Sequence, residues 1–156
     1  MKSTFMTGAA ALILTANTAF AMSDAEKSAA LTALDDEYKA FATYEVVIET
    51  FGAVKPFVSI QQAEATHIGL LTDALAADGI LVPGNPYLDG TLPRPEAPES
   101  VAEACAIGVQ AEIANAALYN DELLPVVSDN TTLTDIFEKL RDASTNQHLP
   151  SFERCS

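Results

Sequence analysis

The chain has 156 residues, enough for one domain with a core of its own. Eight basic against 22 acidic side chains give a net charge of −14, which excludes a nucleic-acid-binding surface and disfavours anionic lipid. Abundant alanine, no tryptophan and only seven glycines favour helices over a β-sandwich.

The first 21 residues read as a secretory signal peptide. Met1-Lys2 gives a short positive start, Phe5 to Ala16 is mostly apolar or small, and Ala19-Phe20-Ala21 has the A-x-A form expected before cleavage after Ala21. The apolar run is shorter than the ~20 residues a spanning helix needs, so no membrane contact is expected after cleavage. Residues 22–156 then form the domain, with seven basic and 22 acidic side chains and a net charge of −15. An exported location, periplasmic or extracellular, follows.

Ser23-Asp24-Ala25-Glu26 has the capping-box form and opens a predicted helix over 24–51, ending near Gly52. Pro56 fits the first turn of a second helix, 57–78, which stops at Gly79. Residues 80–98, "ILVPGNPYLDGTLPRPEAP", hold five of the eight prolines and predict a long connection with no helix. Ser100-Val101-Ala102-Glu103 opens a third helix over 99–123. Thr132-Leu133-Thr134-Asp135 opens a fourth, which reaches about 147–149 before Pro150. Two short links and one long one predict an all-α, antiparallel four-helix bundle with one long crossover, the ferritin-like arrangement.

The inward stripes carry polar residues. On the first helix, positions 30, 34, 37, 41, 44, 48 and 51 are apolar apart from Glu37 and the tyrosine hydroxyl of Tyr44. On the second, Phe57, Ile60, Leu71 and Ala74 flank Glu64 and His67, which at i and i+3 point the same way. The third repeats this pair as Glu112 and Asn115, with Cys105, Gly108 and Tyr119 in line. The fourth reads Leu133, Phe137, Leu140, Ser144, then His148.

A lone seam histidine is usually a satisfied core residue. Here three helices turn a carboxylate inward and two turn a histidine inward, with no seam lysine or arginine to pair them; Arg141 lies beside the stripe. Buried unpaired charge costs several kcal/mol, so a divalent cation is the simplest partner. At ~1.5 Å of rise per residue, Glu37, Glu64, His67, Glu112 and His148 all fall near mid-bundle. Cys105 and Cys155 share one bundle end, and two cysteines in an exported chain predict a disulfide.

The series Glu37-x-x-Ala40-x-x-x-Tyr44, Glu64-x-x-His67, Glu112, His148 is similar to the ligand order of rubrerythrin-like and other ferritin-like di-metal proteins. "FVSIQQAEATH", "IGVQAEIANAALYN" and "NQHLPSFERC" resemble an uncharacterised family of exported bacterial ferritin-like proteins, over residues 30–154. The resemblance implies that Glu37, Glu64, His67, Glu112 and His148 hold one or two iron or manganese ions. The superfamily pattern has a second Glu-x-x-His on the fourth helix; here Thr145 stands three before His148, and Pro150 ends or bends that helix. Glu45, Asp142 or a water could supply the missing ligand. Tyr44, Asn115, Tyr119 and Ser144 would support the ligands, although seam tyrosines are more often plain core aromatics.

Three functions compete. The first is a metal-dependent oxidoreductase reacting with oxygen or peroxide, suited to carboxylate and imidazole ligands. The second is a metal store or carrier without turnover. The third is a ferritin-like scaffold with a degenerate site that acts through protein interaction. A homodimer is left open. No Ser-His-Asp set or phosphate loop competes with these readings.

Overall fold

Ser23 caps the first helix as expected. Its Oγ accepts from the Glu26 amide, while Glu26 Oε2 accepts from the Ser23 amide at 2.7 Å. In this computed structural model, which describes residues 21–155, helix α1 runs Asp24–Phe51 and stops at Gly52, whose φ of 85° suits glycine. The expected signal peptide therefore lies outside the described residues, Ala21 excepted. Helix α2 is Phe57–Ala77, with Pro56 just before it rather than inside its first turn. Helix α3 is Val101–Ala117, capped by Ser100, and helix α4 is Thr131–Ala143. Asn130, not a threonine, caps α4 by accepting from the Leu133 amide.

Two π-helical turns interrupt the second half. One, Leu118–Leu123, continues α3; the other, Ser144–His148, continues α4 into the short helix α5, Leu149–Glu153. Pro150 therefore does not end the helix. It follows directly on the π-helical turn, among the first residues of α5.

The apolar core lies in two clusters. One gathers Ala30, Leu34, Leu71, Leu75, Leu133 and Phe137. The other gathers Tyr44, Val47, Phe57, Ile60, Cys105 and Phe152. Each helix visits these clusters in an order that gives its direction. Helix α1 and the α4–α5 segment pass from the first cluster to the second, while α2 and α3 pass from the second to the first. Short links therefore join antiparallel neighbours, and the same-sense pair α2 and α3 needs the long connection 78–100 to return along the bundle. Among the described residues there is no strand.

That connection is fastened to α1. The Tyr38 hydroxyl donates to the Pro83 carbonyl at 2.9 Å, and the Asn85 amide donates to the Tyr38 carbonyl at 3.0 Å. Further along, Arg94 pairs with Glu45 and Glu49. At the end with the second cluster, Cys105 and Cys155 form the expected disulfide, with Cα atoms 5.8 Å apart. Gly108 allows α3 to meet α5 closely, since a Cβ there would lie 2.7 Å from the Phe152 ring. By length and composition Val101–Leu123 is apolar enough to cross a membrane, but Cys105, Gly108, Glu112 and Tyr119 on it are buried inside the bundle.

Candidate metal centre

The polar seam residues fill the layer between the two apolar clusters. Glu37, Glu64, His67, Glu112, Ser144 and His148 are all buried, and among the described residues no buried lysine or arginine joins them. The five ligand candidates form two overlapping triads: Glu37, Glu64 and His67, and Glu64, Glu112 and His148. Within each triad one potential donor atom per residue lies within 4.8 Å of the others. Glu64 belongs to both.

The contacts repeat across the bundle. Glu37 and Tyr44 are seven residues apart on α1, as are Glu112 and Tyr119 on α3 and its π-helical continuation. Tyr44 donates to Glu112 Oε1 at 2.8 Å, and Tyr119 donates to Glu37 Oε1 at 3.0 Å. One oxygen of each outer glutamate is thereby held by a tyrosine from the other helix. The second oxygen faces an imidazole: Glu37 Oε2 is 3.2 Å from His67 Nδ1, and Glu112 Oε2 is 3.5 Å from His148 Nδ1. Glu64 lies between, with Oε2 2.8 Å from His67 Nδ1 and Oε1 3.3 Å from His148 Nδ1. The two imidazoles stack with centroids 5.7 Å apart.

His148 Nδ1 is buried and has no hydrogen-bond partner among the described residues, although two carboxylate oxygens lie near it. Such a nitrogen, with Glu64 and Glu112 beside it, could serve as a metal donor.

The groups perturb one another strongly. Burial alone would raise the Glu64 carboxyl, but its contacts with His148, His67 and Glu37 outweigh burial and hold it near 2. Burial alone would lower both imidazoles; their carboxylate neighbours instead raise His67 to about 9 and His148 to about 10. Burial raises Glu37 to about 8. These directions agree: at neutral pH the metal-free cluster stores protons on both imidazoles and on Glu37, and a cation would displace them. Burial and the adjacent glutamates hold the Tyr44 and Tyr119 hydroxyls well above their usual range, so both remain donors.

The supporting residues divide. Tyr44 and Tyr119 touch the glutamates directly, so they are more than packing. Ser144 and Asn115 form a separate chain: Ser144 Oγ donates to Asn115 Oδ1 at 2.7 Å, and Asn115 Nδ2 donates to Asp36 Oδ2 at 2.6 Å. Asp36 lies on α1 beside Glu37, with its carboxyl raised by burial. Sequence reasoning missed it because it sits at the edge of the apolar stripe; its one signal was standing next to Glu37.

The suggested substitutes for a fourth-helix carboxylate do not reach the cluster. Glu45 pairs with Arg94, and the exposed Asp142 pairs with Arg141. Thr145 is also exposed. The π-helical turn explains this. The Leu149 amide bonds to the Ser144 carbonyl, five residues back, so the turn holds an extra residue and shifts the phase of the helix. The buried residue one turn before His148 is Ser144, and a glutamate at 145 would face solvent.

No protein-family profile, curated protein or solved structure matches this chain.

Proposed function

We propose that the chain is an exported ferritin-like protein that binds iron or manganese on Glu37, Glu64, His67, Glu112 and His148, and reacts with oxygen or peroxide. The observation that carries this reading is the pair of buried triads joined at Glu64, with His148 Nδ1 facing two carboxylates unbonded. The donor set suits those metals, since carboxylates and imidazoles favour iron and manganese over soft-ligand ions. A bound metal pair would supply one-electron chemistry that no side chain of the cluster offers. The chain's own part is positional. Tyr44 and Tyr119 orient the outer glutamates, and the two apolar clusters exclude water above and below. The disulfide is consistent with an oxidising compartment, as export requires.

A network without metal is the second reading. It is favoured by the contact between His67 and both Glu37 and Glu64, which already satisfies that half of the site.

Metal content separates them. The chain from Met22 onward, purified without a histidine tag, is incubated anaerobically with ferrous iron or manganese, desalted and assayed by mass spectrometry beside a Glu64→Ala/His67→Ala variant. Near two equivalents, lost in the variant, supports a di-metal centre and makes oxygen consumption the next assay. One equivalent indicates a single-ion binder. No retained metal in either protein leaves the polar network as the answer.

A further inference from the structure

Helix α3 and the segment from α4 into α5 run antiparallel, and the contacts between them form a ladder. Cys105 pairs with Cys155, Gly108 seats the Phe152 ring, and Glu112 faces His148. These rungs keep step: three residues then four along α3 are answered by three then four on the other side. The next rung does not. Ser144 Oγ donates to Asn115 Oδ1 at 2.7 Å, three residues beyond Glu112 but four before His148. Phe152 and Ser144 are thus eight residues apart, against seven for Gly108 and Asn115. At ~3.6 residues per turn, seven residues nearly complete two turns, whereas eight overshoot them by roughly a quarter turn. Ser144 and Phe152 can both face α3 because the π-helical turn Ser144–His148 takes up the extra residue.

We propose that Asn115 is a positioning residue for His148: it clasps Ser144 at the head of the π-helical turn and so holds the phase in which His148 faces Glu64 and Glu112. What that phase serves rests on the metal-binding reading; the clasp itself rests on geometry alone. A π-helical turn is rare and gives up regular α-helical bonding, so contacts on both sides must hold it. Downstream the segment is fixed by the disulfide at Cys155 and by the Phe152 ring against Gly108. Upstream, Ser144 Oγ also lies 3.3 Å from the Leu140 carbonyl, but that contact stays within one helix and fixes no phase against α3. The Asn115 bond does. Asn115 is itself held, because its Nδ2 donates to Asp36 Oδ2 at 2.6 Å, which leaves Oδ1 turned toward Ser144. An amide suits the middle place, since it donates at one end and accepts at the other. Packing does less here: Asp36 and Asn115 both line a cavity of about 470 Å³ between α1 and α3. Asp36 adjoins Glu37, Asn115 stands three beyond Glu112 and Ser144 four before His148. One polar chain thereby ties together the three helices that carry those ligands.

The test uses the chain from Met22 onward, with Asn115→Leu and Ser144→Ala. The second variant removes a single hydroxyl and guards against misfolding of the first. The chain has two histidines, so nitrogen-15 NMR of metal-free protein reads each imidazole separately. Both substitutions should move the His148 ring signals more than those of His67. Both should also speed hydrogen exchange of the Leu149 amide, which closes the π-helical turn, by roughly three- to tenfold, the scale of one lost hydrogen bond. In competition with a chelator, iron or manganese retention should weaken by about 10- to 100-fold, as for a ligand that loses its orientation. Unmoved His148 signals and unchanged Leu149 exchange overturn the inference, as do equal effects on the two rings. Unchanged metal retention beside a displaced His148 overturns it too. A wild-type chain that retains no metal overturns the proposed function, while the metal-free spectra still decide whether Asn115 places His148.

Discussion

At the scale of single residues, the layer between the two cores is organised by Glu64. It is the one carboxylate shared by both triads, and each outer glutamate is steadied by a tyrosine from across the bundle. Tyr44→Phe and Tyr119→Phe remove those hydrogen bonds with little change in volume. Each should weaken metal retention by about 10- to 100-fold, the usual cost of losing a ligand's orienting partner, as read by competition with a chelator. Protons set a second expectation. In the metal-free protein the imidazoles hold protons more tightly folded than unfolded, so their stabilisation is complete below about 6.5 and fades as pH rises through about 9 and 10. Glu37 acts in the same direction: its folded carboxyl titrates near 8 rather than 4.5, so folding loses stability as pH rises between those values. Urea midpoints of metal-free protein should therefore fall from pH 7 to pH 10, and a flat profile would show that the cluster is not protonated as described. Metal retention should strengthen over the same range, because bound protons compete with the cation.

At the scale of elements, the four long helices were legible from caps and apolar periodicity, and the π-helical turns were not. An i,i+3 count assumes an uninterrupted helix. On α2 that holds, and Glu64 and His67 both face inward. Before His148 it fails, because the extra residue of the turn moves Thr145 to the surface and leaves Ser144 inside. Thr145→Glu should accordingly add no metal equivalent and change stability little, whereas a gain in stoichiometry by mass spectrometry would show that position 145 does reach the site. The contact of α3 with α5 is similarly specific. Gly108→Ala would press a methyl against the buried Phe152 ring, and overpacking of this kind costs about 1–3 kcal/mol, measurable by urea unfolding. Removing the nearby disulfide as Cys105→Ala/Cys155→Ala releases a closure between residues 50 apart in sequence, worth ~4 kcal/mol in the chain-entropy account.

At the scale of the whole molecule, the proposed export and the fold meet at Met22. Its backbone nitrogen lies 3.0 Å from Asp78 Oδ2 at the C-terminal end of α2. Cleavage after Ala21 would turn that nitrogen into an ammonium facing both a carboxylate and the negative end of a helix. N-terminal sequencing of secreted protein should begin at Met22. Asp78→Asn should destabilise the processed chain by up to about 1 kcal/mol and a chain still extended beyond Ala21 by less. Equal effects on both forms would show that no ammonium pairs there.

The sequence by itself determined four helices, the long crossover, the disulfide partners and the inward turn of Glu37, Glu64, His67, Glu112 and His148. Each of these follows from local chemistry: a cap, a proline-rich run, a 3.6-residue period, or two cysteines with one possible pairing. It also showed that three acids and two histidines share mid-bundle, since height along a helix is simple counting. Only the tertiary structure decided who touches whom. The crossed tyrosine–glutamate pairs, the sharing of Glu64 between two histidines, the Asp36–Asn115–Ser144 chain and the cavity between α1 and α3 all join residues distant in sequence. Rotation and spacing of packed helices fix such contacts, and a π-helical turn can change that rotation with no mark in a one-helix pattern.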